Sequence, residues 1–495
     1  MSKIARIAHN AVAAKIKEAS TDLKLLMNDI LSYKVAGSEY MSAGDWDGRS
    51  TFFDYDSATF PAGFVRLVKM KLEKLGYRVI VKSLPAPEPL GPEKPIIDSF
   101  PEDPRYHYQM QTVDRLVSLR QMIAQVATGG GKSRIARLAY ARIQRPTMFL
   151  TTRGLLMHQM ADAFKGDGLD VGYMGDGIWS PKKGMNVAMV QTLAARLSDP
   201  DPEWDSEKVD AHLKRREETV RVLQCMEFVI LEEAHESSGE SFFNIMKLCK
   251  NAHYRLALTA TPFMKSNECD NMRLMASSGI IGIKVSEEYL INCGILAKPY
   301  FQFINSKAPK EVRSGSGYQR AYKLGIVHNE FRNNDIVDKA ISGVRQGLPV
   351  MILVQRKDHG KILSQKLTEL GIDSDFIYSQ HNQEQRKARL AKLAGGNFVL
   401  IGTTILDVGV DVPAVGMVIL AGGGKAEVAN RQRIGRGLRA KKKGANICFV
   451  VDFVDRFNKH LRDHARERRA IVEETPGFCE GIVDEFDFSL LKEAA

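Results

Sequence analysis

Cysteine is scarce and unpaired in this 495-residue chain. Its six cysteines (Cys225, Cys249, Cys269, Cys293, Cys448, Cys479) lie far apart, with no C-x-x-C spacing. That argues against a zinc ribbon and against a disulfide framework, and the thiols read as reduced core or surface groups. No uncharged apolar run approaches the roughly 20 residues that a membrane span requires. The first residues include Lys3 and Arg6 but no continuous apolar stretch, so no signal peptide is expected. Low-complexity tracts are absent, as is any repeat with a period of about 20–50 residues. The expectation is a cytoplasmic protein without membrane partners.

The composition supplies a hydrophobic fraction of 44% and a charged fraction of 26%. The length predicts roughly two to four domains. A formal net charge of +11 favours a polyanionic partner, because lysines and arginines that neutralise phosphates release condensed counterions.

Residues 1–95 read as an accessory α+β domain. Leu23, Leu26, Met27, Ile30 and Leu31 share one helical face, with Ser20 or Thr21 as N-cap. Asp47-Gly48 between aromatic-rich segments is a hairpin signal. A second amphipathic helix is predicted over 64–75, and the proline- and acid-rich stretch 84–104 reads as a linker. Strands predicted over 147–151, 186–190, 228–231 and 255–258 alternate with helical segments, which argues for a covered parallel sheet. The charged stretch 199–221 interrupts this pattern as a surface helical insertion. A second alternation follows at 350–354, 375–378, 398–402, 417–420 and 447–451. The boundaries expected are 96–300 for one lobe and 301–455 for the next, with a cleft between them. A basic helix and acidic tail occupy 456–495.

Ala127-Thr128-Gly129-Gly130-Gly131-Lys132-Ser133 follows an apolar strand and precedes a helical segment. A polyphosphate needs backbone N–H groups turned inward around it, which glycines permit, and a helix N-terminus behind it. Lys132 would reach the β- and γ-phosphates, and Ser133 would ligate Mg²⁺. Val126 stands where the general P-loop pattern has its first glycine. Phe228-Val229-Ile230-Leu231-Glu232-Glu233-Ala234-His235 is an apolar strand ending in two acids. Such a pair can hold Mg²⁺ through Glu232, by way of water, and orient an attacking water through Glu233. A solvated acidic pair is the plain alternative. Leu258-Thr259-Ala260-Thr261-Pro262 ends a further strand. Gln432-Arg433-Ile434-Gly435-Arg436-Gly437-Leu438-Arg439 offers Arg436 and Arg439 to neutralise a transferring γ-phosphate, or a basic helix for phosphodiesters.

Taken in order, these elements resemble the superfamily 2 helicases of the DEAD/DEAH type over about residues 105–455. Thr128-Gly129-Gly130-Gly131-Lys132-Ser133 fits their glycine loop, and Glu232-Glu233-Ala234-His235 their acidic box, with Glu232 in place of the usual aspartate. Gly402-Thr403-Thr404-Ile405-Leu406-Asp407-Val408-Gly409-Val410-Asp411 resembles their fifth motif. It implies nucleotide contacts at Gly409 and Asp411 and backbone contacts at Thr403 or Thr404. Gln109, about twenty residues before the glycine loop, resembles their adenine-reading glutamine. Thr152, Arg153, Gln191 and Thr192 occupy the nucleic-acid-binding segments.

Trp46-Asp47-Gly48-Arg49 with Phe53-Asp54-Tyr55, and the segment 325–334, are similar to phage recombination and repair helicases of the UvsW type. A hairpin with a packed tryptophan accounts for Trp46–Arg49 equally well. The resemblance implies two RecA-like parallel-sheet lobes and an ATPase using ATP and Mg²⁺, with Lys132, Glu233, Arg436 and Arg439 catalytic. It implies a DNA helicase or translocase acting on junctions, forks and R-loops beside recombination or repair proteins. The alternatives are a restriction-type motor subunit, an RNA helicase, and an ATP-bound clamp that does not hydrolyse.

Overall fold

The computed structural model describes residues 3–38, 46–97, 103–236, 239–263, 267–378, 383–403, 414–424, 434–435, 438–441 and 444–492. The chain divides into two compact units, Met1–Val126 with Gly131–Lys284, and Ala127–Gly130 with Val285–Ala495.

In the first unit, β1 (Lys3–His9) and β2 (Ala13–Lys17) pair antiparallel, and β3 (Ser32–Lys34) and β4 (Arg49–Thr51) form a separate antiparallel pair. β5 (Thr59–Pro61) and β6 (Tyr77–Ser83) complete a four-stranded sheet in the order β5-β2-β1-β6. Helix Thr21–Ile30 begins where the Ser20 hydroxyl accepts from the Leu23 N–H at 3.3 Å. It buries Leu23 and Met27, and helix Val65–Lys74 buries Val65, Val68 and Leu72. Both pack on Ala5, Ile7, Ala14, Ile16 and Phe60 of the sheet.

Asp47-Gly48, the hairpin signal, lies between the antiparallel strands β3 and β4, directly before β4. The Asp47 carboxylate accepts from the Arg49 N–H at 2.9 Å, and Gly48 takes a φ of +75°. The stretch after β6 is no slack linker. Leu90 N–H donates to Ile143 O at 3.0 Å, Arg145 donates to Glu88 O at 2.7 Å, and the Tyr254 hydroxyl donates to Pro87 O at 2.9 Å. Prolines remove donors from this segment, so carbonyls dominate it, and the neighbouring arginines satisfy them.

The main sheet of this unit comprises β7 (Gln121–Val126), β8 (Thr147–Thr151), β9 (Val171–Gly175), β10 (Ile178–Ser180), β11 (Met185–Met189), β12 (Phe228–Glu232), β13 (Tyr254–Thr259) and β14 (Ile281–Val285). The order is β10-β9-β11-β8-β12-β13-β7-β14. From β9 to β7 the pairings are parallel, and β10 runs antiparallel to β9. β12 and β13 are buried along their whole length, which is why they read as mostly apolar runs rather than alternating ones. The charged insertion forms helix Ser206–Cys225, capped by Asp205.

The second unit carries β15 (Lys298–Asn305), β16 (Val350–Leu353), β17 (Ser374–Ile377), β18 (Val399–Gly402), β19 (Met417–Leu420) and β20 (Ile447–Val454), in the order β15-β20-β19-β16-β18-β17. Its pairings are parallel. Two buried arginines tie this sheet to its helices. Arg332, on helix Glu330–Arg345, donates to Asp455 at 3.2 Å and to Ala421 O at 2.7 Å, and its guanidinium lies 4.5 Å from the Phe453 ring centre. Arg468, within the basic helix Lys459–Glu473, donates to Asp452 at 2.9 Å, Gly424 O at 3.1 Å and Phe453 O at 2.8 Å. Arg468 therefore works inward, whereas Arg462 and Arg466 of the same helix are exposed.

Removing one partner of a buried ion pair strands the other charge, at a cost of about 3–5 kcal/mol. Asp455→Ala should therefore lower the unfolding free energy of the second unit by an amount in that range, seen as a lower denaturant midpoint. Pairing it with Arg332→Met should recover most of the loss, read as unfolding followed by a probe in each unit.

Candidate nucleotide site

Three neighbouring strands deliver the first unit's chemistry to one place. In the order β12-β13-β7, Glu232 pairs with Leu258 and Thr259 with Gln125. The strands that lead into the acidic pair, the Thr-Ala-Thr-Pro segment and the glycine turn thus end together at the carboxyl edge of the sheet, where parallel sheets place their ligands.

The glycine turn uses its freedom at two positions. Gly129 has a φ of +88° and Gly131 of +75°, in the left-handed region that side chains resist. Gly131 directly precedes helix Lys132–Ile143, so the helix N-terminus opens onto the turn. A Cβ on Gly131 would lie 2.5 Å from Gln109 Nε2, so that glutamine stands against Gly131. Lys132 is only 8% exposed.

Glu232 is buried, and its Oε2 has no hydrogen-bond partner. Burial, reinforced by the neighbouring Glu233 and opposed by Lys132, pushes its carboxyl up to about 8. An orphaned carboxylate oxygen beside a lysine fits a cation. With the Ser133 hydroxyl it would supply an all-oxygen donor set suited to Mg²⁺, which takes few protein ligands and fills its shell with phosphate and water. Among the described residues no group of three or more His, Cys, Asp or Glu side chains gathers as a metal site. Glu233 adopts a φ of +47°, unusual for a residue with a long side chain. Beyond it, Thr261 N–H donates to Thr259 Oγ1 at 3.1 Å, and Gln125 Nε2 donates to Ala260 O at 3.3 Å.

A cavity of about 1110 Å³ adjoins Gln109, lined also by Tyr106, Met110, Arg134 and Leu138. The Arg134 guanidinium stands 5.4 Å from the centre of the Tyr106 ring. Two flat groups beside an amide suit a purine. The motif reading missed Tyr106 and Arg134; an aromatic three residues before Gln109 was the available signal.

The segments expected to bind nucleic acid sit at the same edge, after β8 and β11. Gln191 Nε2 donates to Thr152 O at 2.9 Å, and Thr192 follows on helix Val190–Leu197. Thr152 Oγ1 donates to Glu236 at 2.7 Å, and Arg153 is ion-paired with the same carboxylate. Glu236, three residues past Glu233, was not singled out from sequence.

In the second unit, Thr403 N–H donates to Ile377 O at 3.2 Å at the ends of β18 and β17. Arg439 forms an isolated antiparallel bridge with Leu296, and burial holds its guanidinium below its ordinary range. Arg436, Gly409, Asp411 and Thr404 lie outside the described residues.

Residues 103–264 match the family described as type III restriction enzyme, res subunit, and residues 333–441 match the helicase conserved C-terminal domain. The protein named helicase 22 of Sulfolobus islandicus filamentous virus is 23% identical over 398 residues, covering 75% of this chain and 68% of its own length. The ATP-dependent DNA helicase uvsW of Enterobacteria phage T4 is 22% identical over 464 residues, covering 87% of this chain and 86% of its own. The crystal structure of the DUF1998 helicase MrfA bound to DNA shares the fold, with a TM-score of 0.53 at 13% identity over 79% of this chain and 53% of that one.

Two outcomes test the site. Lys132→Ala should cut ATP turnover by about a hundredfold or more, since a preorganised donor to the transferring group is lost; phosphate release measures it, and near-normal turnover would discard the site. With its carboxyl pushed up to about 8 by burial, Glu232 should be largely protonated at neutral pH. Binding of Mg²⁺ with nucleotide favours the carboxylate and should release up to about one proton at neutral pH. The release should fade as pH rises past that value and vanish in Glu232→Gln, as titration in weakly buffered solution would show.

Proposed function

We propose that this chain, with its res-subunit match followed by a helicase conserved C-terminal match, is a helicase of the superfamily 2 type that remodels branched DNA at the expense of ATP. The observation that carries this reading is the meeting of Lys132, Glu232, Glu233 and Gln109 at one sheet edge. Gln109, flanked by Tyr106 and Arg134, takes the adenine. Glycine-turn N–H groups, including those of Thr128, Gly129 and Gly130, and the Lys132 ammonium hold the phosphates. Glu233 orients a water in line with the γ-phosphorus; as that oxygen bonds, the bond to ADP breaks and the water's proton is taken up. Mg²⁺, held by Ser133 and Glu232, supplies charge neutralisation when bound. Arg439 and Arg436 are assigned to stabilise the γ-phosphoryl charge, with Gly409 and Asp411 on the nucleotide side.

Thr152, Arg153, Gln191, Thr192, Thr403 and Thr404 are assigned to the nucleic-acid backbone. DNA is favoured because the T4 relative, aligned over most of this chain, is named a DNA helicase. The name of the family matched by residues 103–264 supports a second reading, a motor subunit whose nuclease resides elsewhere.

ATP turnover measured with single-stranded DNA, forked DNA and RNA separates these readings: forked DNA should stimulate most, and a preference for RNA would sink the DNA assignment. Glu233→Gln should keep ATP and DNA binding while turnover falls by about 10²–10⁴; equal loss of binding and turnover contradicts its role. Arg439→Ala should lower kcat by about 10³ with little change in ATP affinity, and the reverse pattern would move Arg439 to the nucleic-acid side.

A further inference from the structure

The N-terminal four-stranded sheet has two unlike faces. One is covered by helices Thr21–Ile30 and Val65–Lys74. Strand register assigns the residues of the other: Arg6 opposite Lys17, Ala8 opposite Lys15, and Thr59 beside Lys15. Across the parallel pair, Ile4 lies opposite Arg78, Arg6 opposite Ile80, and Ala8 opposite Lys82. All five cations are exposed, and Ile4 and Ile80 between them are 42% and 36% exposed. Among the described residues the acid paired with this face is Glu18, 3.5 Å from Arg6 and itself exposed.

We propose that this open face of the N-terminal sheet is a docking surface for the phosphate backbone of duplex DNA, gripped by Arg6, Lys15, Lys17, Arg78 and Lys82. Charge complementarity selects a polyanion. Alternate residues along a strand are about 6.7 Å apart and neighbouring strands about 4.8 Å apart. The cations therefore form a shallow lattice that can meet several phosphates at once.

The face also lacks what a single strand would need. Unpaired bases bind by stacking on aromatic rings. The sheet's rings, Tyr77 and Phe60, belong to the covered side, packed with the helices. On a shallow sheet surface these cations meet the phosphodiester backbone, which carries no sequence information, so the grip is sequence-tolerant and leaves base pairs intact. A duplex arm held here would stay with the first unit while the motor works on a strand, which rests on the DNA reading above.

The test uses the full chain carrying Lys15→Glu, Arg78→Glu and Lys82→Glu. Its control, with the same charge change, carries Lys71→Glu, Lys74→Glu and Lys214→Glu, all at exposed positions. Fluorescence anisotropy without nucleotide reads affinity for blunt duplex DNA, single-stranded DNA and duplex RNA across a salt series. Loss of three phosphate contacts should flatten the slope of log K against log salt by about 2.7 and weaken duplex DNA binding by about tenfold or more. Single-stranded DNA affinity and single-strand-stimulated ATP turnover should match the control. Equal effects in the two variants, equal loss of single- and double-stranded DNA, or loss confined to duplex RNA would each overturn the proposal. If nucleic acid never stimulates the wild-type ATPase, the motor reading fails, and the nucleotide-free binding result still decides the sheet face.

Discussion

Burying a carboxyl group at the end of an apolar strand is the constraint around which the first unit is organised. Glu232 closes β12 among residues that exclude water, with no hydrogen bond to one oxygen and a second acid next in sequence. An ionised group in that position is costly unless a cation stands nearby, and the nearby cation is Lys132. That lysine must itself be buried, so it sits at the start of a helix behind a turn that only glycines form readily. The adjacency of β12, β13 and β7 follows from the same requirement. Burial and Glu233 favour the neutral form of Glu232 while Lys132 favours the charged one, so its charge is set by the groups packed around it.

Much of this was legible in the amino acids because buried parallel strands announce themselves. The runs ending at Thr151, Glu232, Thr259 and Gly402 are buried over their whole length and mostly apolar, and a chemical motif lies at the end of each. The N-terminal sheet was harder to read. β1, β2 and β6 alternate Ala, Ile and Val with Lys and Arg over short spans, and they pair with partners up to about seventy positions away. The stretch after β6 looked slack because its prolines and acids resemble a linker, yet its carbonyls are bound by Arg142, Arg145 and Tyr254. Tyr106, Arg134 and Glu236 carried no motif; only their position against Gln109, one another and Arg153 gives them meaning.

The second unit solves a different problem. Its loop Ala421–Gly424 connects β19 to the arginine-bearing segment, and backbone carbonyls at both ends of that loop accept from buried guanidinium groups. Arg332 and Arg468 arrive from different helices and converge on the end of β20 through Asp455 and Asp452. Basic residues in a positively charged chain are easily assigned to a polyanion. Here two of them are committed to the interior, and the planar fork of arginine explains why lysine would not serve.

On the proposed assignment of Arg153 and Thr152 to the nucleic-acid backbone, their pairing with Glu236 bears on how a track would be released. A cation waiting for a phosphodiester in an empty groove would have to be solvated afresh at every detachment. With an internal carboxylate already seated on it, letting go is an exchange of one anion for another rather than the exposure of a bare charge. A machine that must step repeatedly gains from such a resident understudy: its idle state is satisfied, so neither grasping nor releasing has a deep well to climb out of.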